Sequence, residues 1–310
     1  MYNRTALTHR ANRVGAMLIV MTMCQHGIPR IGYYILSLFG VDTSAQSWGL
    51  KSAAYLTLYL LLYVLMMGVP LLLGRLLLIP PSYRRLSPLN LLIDRRLCVI
   101  VAGTALCIVA NVVAALISNE FYKAGLPQPQ ILQLGDGSIG TLLLDLIVFA
   151  VVPALMEEML LRGMVLQTLR PLGDRTAVFL SALLFGLMHG NLQQTPYAFL
   201  MGVVLGAIFV YTDDLRLTIV VHMIANALSV ITGFLLQYSD TPFATFWELI
   251  IVIVMLMTGA VGGLWLYRHP LERSKPRRAP LPVRRSALFQ APLLWLAVGM
   301  MAGILIVYIA

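Results

Sequence analysis

The chain has 310 residues, 59% of them hydrophobic and only 11% charged, with a net charge of +9. A soluble domain carries about 25% charged residues, so this composition excludes an ordinary water-soluble fold. The positive balance raises the question of a nucleic-acid partner, but membrane orientation accounts for it, and no nucleic acid is expected.

Taken in chain order, the apolar stretches predict nine spans, near residues 14–39, 50–79, 97–118, 139–166, 176–190, 196–212, 217–237, 244–267 and 287–309. Crossing a bilayer takes about 20 apolar residues. In hydrocarbon the backbone must satisfy its own polar groups, which helices do within one segment. The short alternating segments of a membrane barrel are absent. The expected fold class is therefore all-α, a polytopic transmembrane helical bundle of about eight to nine spans. The first span is interrupted by CQHGIPR (24–30). Its basic start resembles a signal peptide, but no small-residue cleavage site follows, so it reads as an uncleaved span.

The spans group into N-terminal transmembrane helices (1–138), a helical core (139–237), and C-terminal helices (238–310) that contain a basic loop at 268–286. Cys24, Cys98 and Cys107 show no paired spacing, so neither a disulfide framework nor a zinc site is indicated. No cofactor or metal is expected.

Lysine and arginine in the loops set orientation. Alternate loops, with the N-terminal tail, hold 17 basic residues, among them Arg84, Arg85, Arg95, Arg96, Arg170, Arg175 and Arg216; the opposite loops hold two, Lys51 and Lys123. The split predicts a cytoplasmic N-terminus and a multi-pass cell-membrane protein; the compact chain points to a bacterial cytoplasmic membrane. The loop 268–286 reads as an orientation anchor near anionic lipid.

Ionisable groups inside spans cost about 2.5–3.5 kcal/mol each on insertion scales and mark function. Glu157, Glu158 and Arg162 sit in VVPALMEEMLLRG, His189 in LLFGLMHGN, and His222 with Asn226 in VVHMIANAL. Glu158 and Arg162 are four apart and share a helix face, so they can pair. Glu157 is rotated by about 100° and is free for another role. His222 and Asn226 are also four apart. By counting, Glu157 and His189 lie about 20 Å from the cytoplasmic ends of their helices. His222 lies nearer that side, unless the turn YTDDLR (211–216) is recessed or span four runs past the membrane surface, the second being favoured. The chemistry such groups suit is water activation: a carboxylate base, a histidine holding or shuttling the proton, and hydrogen-bond donors for an oxyanion. Asp145 falls about 120° from Glu157 and reads as a near-surface residue of span four. Gly202 and Gly206 form a GxxxG, which reads as helix packing.

EEMLLR, FGLMH and HMIAN, in this order, fit EExxxR, FxxxH and HxxxN. Over roughly residues 139–237 the chain thus resembles the CAAX protease and bacteriocin-processing family of intramembrane glutamic endopeptidases. The resemblance implies that Glu157 is the catalytic base, with Glu158 and Arg162 as supporting members. It implies that His189 helps activate the water and that His222 with Asn226 lines the oxyanion site. It also implies a metal-independent endopeptidase acting on a peptide or membrane-protein substrate at the lipid bilayer. Two other readings stay open: a metal-dependent hydrolase, and a non-catalytic binding, immunity or transport protein using the same polar cluster. The Glu158–Arg162 pair can equally be structural, and His189 can be a buried imidazole bonded to a backbone carbonyl. Neither the substrate nor the oligomeric state is readable.

Overall fold

The computed structural model describes residues 3–43, 49–78, 93–126, 134–271 and 279–309. Arg84, Arg85 and residues 272–278 of the basic loop 268–286 lie outside the described residues, as does the loop at 127–133. Among the described residues every regular element is helical. In chain order the helices are α1 (Arg4–Leu38), α2 (Ser52–Leu78), α3 (Ile93–Lys123), α4 (Ile139–Leu172), α5 (Asp174–Leu187), α6 (Gln194–Thr212), α7 (Leu215–Tyr238), α8 (Thr241–Arg268), α9 (Leu281–Phe289) and α10 (Pro292–Ile309).

Six of these are long and apolar enough to cross a membrane: α2, α3, α4, α6, α7 and α8. Helices α9 and α10 meet at a bend of 59° and make a seventh if they form one span. The spans expected at 14–39 and 176–190 are helices too, but they fall outside this set. With 14 residues, α5 rises only about 21 Å. CQHGIPR leaves α1 unbroken: the helix runs through Pro29 for 35 residues. It carries Arg10, Arg13, His26 and Arg30, however, which make it the most polar of the long helices.

Helices α4 to α7 form the centre. Helix α2 packs on α4, and α1 on α2; on the other flank, α3 packs on α6 and α7, and α8 on α3. Helix α10 lies against α1. Leu160, Leu161, Phe185, Phe209 and Val221 are buried in the central core. Outward, α8 exposes Leu249, Ile253, Met257, Val261 and Leu264, a surface that suits hydrocarbon and not water. The protein is a multi-pass membrane protein.

Local chemistry sets the helix ends around the centre. Ser138 caps α4 by accepting the Thr141 N–H at 3.2 Å, one of the orphan donors of a helix start. Gly173, at φ 106°, makes the sharp turn from α4 into α5, a conformation open to glycine and strained for other residues. Asp214 caps α7 by accepting the Arg216 N–H at 3.0 Å. Burial opposes the charge on Asp214, but the Arg216 hydrogen bonds prevail and hold its carboxyl below the usual range.

Inside α4 the hydrogen bonding widens twice to π-type turns, at Ile147–Val151 and Leu161–Leu166. Pro153 accounts for the first: it has no N–H to give the carbonyl of Phe149, and its ring crowds that carbonyl. Wide turns of this kind mark functional sites often. Here they bracket Glu157 and Glu158.

Helices α5 and α6 cross closely because α6 offers glycines there. A Cβ on Gly202 would sit 2.9 Å from the Ala182 Cα, and one on Gly206 would sit 3.0 Å from Val178 Cγ1. The helix-packing reading of this GxxxG therefore holds. Gly202→Ala is expected to force the two helices apart and destabilise the protein by about 1–3 kcal/mol. A lower thermal midpoint of purified protein in detergent checks this, and an unchanged midpoint refutes it.

Candidate active site

Four ionisable side chains meet in the centre. Glu157 and Glu158 come from α4 between its two wide turns, Arg162 from the next turn of α4, and His222 from α7. Glu158 and Arg162 are fully buried, His222 is 1% exposed and Glu157 6%. Groups so buried must be paired and hydrogen-bonded to persist.

The expected pairing of Glu158 with Arg162 is present. Arg162 Nη1 donates to Glu158 Oε1 at 2.6 Å, and Nη2 donates to the Gly202 carbonyl at 3.1 Å. The guanidinium carbon lies 4.8 Å from the centre of the Phe185 ring, a cation–π contact. One arginine thus joins α4 to both α5 and α6. The same glycine that allows the α5–α6 crossing supplies the carbonyl that Arg162 uses.

His222 spans the two glutamates. Its Nδ1 lies 3.0 Å from Glu158 Oε1, and its Nε2 lies 3.7 Å from Glu157 Oε2. An ionised carboxylate only accepts, so Nδ1 carries the proton toward Glu158. In the neutral ring Nε2 is then an acceptor facing Glu157. Glu158 therefore fixes the tautomer of His222 as well as balancing Arg162.

Counting residues from helix ends placed His222 at a different depth from Glu157, and the structure removes that mismatch. Arg170, near the end of α4, pairs with Asp213 and donates to the Val210 carbonyl. The end of α4 is thereby tied to the α6–α7 turn. The wide turn at Leu161–Leu166 fits extra residues between Arg170 and Glu157, so a count at regular α-helical rise overstates their separation.

Tyr63 completes the surroundings of Glu157: its phenol donates to Oε1 at 2.7 Å. The sequence reading passed over this residue. Its signal was the spacing of Tyr55, Tyr59 and Tyr63 in α2, one per helical turn on a single face. The face points inward, with the Tyr59 ring 5.5 Å from that of Phe149 on α4.

His189 and Asn226 stand outside this hydrogen-bonded group. His189 follows the end of α5, half-buried, and its Nδ1 bonds the Phe185 carbonyl at 2.8 Å. Phe185 lies between the two imidazoles, its ring 5.2 Å from that of His189 and 5.6 Å from that of His222. The second nitrogen of His189 is an acceptor in the neutral ring. The residue lines a cavity of about 200 Å³ with Thr22, Gln25, His26 and Met66. Asn226 is half-buried one turn beyond His222 on α7.

Asp145 lies near the start of α4 and faces away from Glu157. It is fully buried, and its Oδ2 accepts the Gly135 N–H at 3.0 Å. It pins the chain before α4 to that helix and is not part of the glutamate cluster. Among the described residues no three histidine, cysteine, aspartate or glutamate side chains are arranged to hold a metal ion.

Comparisons with curated proteins and with solved structures gave no match. Residues 139–228 match the family described as Type II CAAX prenyl endopeptidase Rce1-like. The match runs from the start of α4 into α7, and so takes in all three motifs and the glutamate–arginine–histidine cluster they build. Over that segment the chain is similar to CAAX prenyl endopeptidases, in keeping with the resemblance of its three motifs to the CAAX protease and bacteriocin-processing family.

Proposed function

We propose that the protein is an endopeptidase that hydrolyses a peptide bond of a membrane-associated or peptide substrate with a water activated by Glu157 and His222. One observation carries the reading. In the buried centre of the matched segment, Glu157 Oε2 and His222 Nε2 face each other at 3.7 Å, a separation that one water can bridge.

In the first step Glu157 takes a proton from the water, whose oxygen attacks the scissile carbonyl carbon. His222 Nε2 accepts a hydrogen bond from the same water and orients it. The carbonyl π electrons move to oxygen, giving a tetrahedral oxyanion. Protonated Glu157 then gives its proton to the leaving nitrogen as the C–N bond breaks. No covalent enzyme intermediate forms. Glu158 acts through His222, whose tautomer it sets, and Arg162 pairs with Glu158 and holds it in place. Asn226, one helical turn from His222 on α7, is the amide this reading assigns as an oxyanion donor. His189, across Phe185, works from the cavity side of the site. This division moves the main water-orienting role from His189 to His222, because His222 is the imidazole beside Glu157.

The family's printed activity, cleavage of prenylated chains ending in Cys-aliphatic-aliphatic-X, makes such chains the first substrate class to test. The distribution of basic residues supports an N-terminus in the cytoplasm. The test compares the termini of membrane-fraction proteins from cells carrying the wild type with those from cells carrying Glu157→Ala at equal abundance. New termini found only with the wild type are expected. Identical sets of termini, with wild-type biological function in the variant, refute the reading.

A further inference from the structure

We infer that Tyr63 is a positioning residue for Glu157, supplied to the site by α2 from outside the segment that matches the family. This rests on the hydrolytic reading for its consequence, but its geometry stands by itself.

A phenol in an apolar helix needs a hydrogen-bond partner, since an unpaired hydroxyl in hydrocarbon is costly. A tyrosine hydroxyl stands too far from its own backbone to be satisfied by its own helix in the way serine or threonine is. Its partner must come from another element. Tyr63 finds that partner in Glu157 Oε1, at 2.7 Å. Elsewhere on α2, Leu61 and Leu65 are exposed and present the apolar face, whereas Tyr63 packs against the core.

The hydrogen bond matters because of what it leaves. The terminal torsion of a glutamate is broad, so without a fixed partner the carboxylate plane can rotate and turn both oxygens away from His222. With Oε1 held by Tyr63, Oε2 is the one that faces His222 Nε2. One oxygen is then held by the phenol, and the other is left to face the imidazole across 3.7 Å. Holding reacting groups in one geometry is a large part of catalysis. A base whose carboxylate plane swings away from the water would lose turnover while substrate affinity stayed the same.

The test uses the full chain in phospholipid vesicles, with a farnesylated peptide ending in Cys-aliphatic-aliphatic-X as probe. Tyr63→Phe keeps the ring and removes only the hydroxyl. It is expected to lower kcat roughly 10- to 100-fold, the worth of a hydrogen bond to a charged group, with KM within about twofold. Tyr55→Phe, two turns along the same stripe, keeps wild-type turnover. An infrared arm needs no substrate: the wild type minus Glu157→Gln difference isolates the Glu157 carboxyl band, and the same difference is taken in the Tyr63→Phe background. A shifted band is expected. Wild-type kcat in Tyr63→Phe, or an unmoved Glu157 band, overturns the inference. Should the wild type leave the probe intact, a shifted band still supports the positioning role, while the failure belongs to the substrate and hydrolysis reading.

Discussion

Glu157→Gln is expected to cut turnover by about 10²- to 10⁴-fold, the range for removing a general base, and to leave the protein folded. Glutamine has nearly the same shape, and its carbonyl oxygen still accepts the Tyr63 phenol that now bonds Oε1. His222 keeps its bond to Glu158. Only the ability to take and return a proton is lost. Activity is measured with a cleavable substrate, and folding by thermal unfolding and monodispersity in detergent. A variant that turns over like the wild type removes Glu157 from the chemistry. A variant that fails to fold makes it a structural residue.

Arg162→Leu is expected to fail in the opposite way, by losing the fold. The change strands Glu158, fully buried, without its counter-charge, and leaves the Gly202 carbonyl without its donor. Breaking a buried pair by removing one partner costs about 3–5 kcal/mol, whereas replacing both partners by apolar or neutral groups is often close to neutral. The double variant Glu158→Gln, Arg162→Met should therefore recover much of the thermal midpoint that Arg162→Leu loses. It should not recover activity, because His222 loses the ionised partner that sets its tautomer. Arg162→Lys should also fall short of wild type: an ammonium lacks the planar fork that serves Glu158 and Gly202 together. A single Arg162→Leu variant as stable as the wild type would show that the pair contributes nothing to the fold.

How much of this could be read in advance depended on whether a contact was local. Glu158 and Arg162 lie one turn apart on one helix, so their pairing followed from 3.6 residues per turn. The two long motif-bearing helices, α4 and α7, follow from apolar length, which is a strong signal. His222 was harder. Its reach to Glu157 depends on how α4 and α7 cross and on a wide turn inside α4, and counts at a uniform rise carry neither. Helix α5 was taken for a full span although its 14 residues fall short of one; short helices packed inside a bundle look the same in composition as spanning ones. Tyr63 left only a stripe of three tyrosines, a pattern that also fits the aromatic belts of membrane surfaces. His189 belonged to a motif, but a motif gives membership and not placement: its ring sits across Phe185 from the other imidazole.

The two partners of Glu157 come from widely separated parts of the chain, the phenol from α2 and the imidazole from α7. The stretch that resembles the family begins only at residue 139. Similarity and working unit thus have different borders here. A transplant of residues 139–228 into another membrane scaffold would carry the motifs but leave one oxygen of Glu157 to whatever the host happened to place beside it. Two relatives that share all three motifs can therefore differ in how their glutamate is held, and the place to look for that difference is a helix that motif comparison never touches.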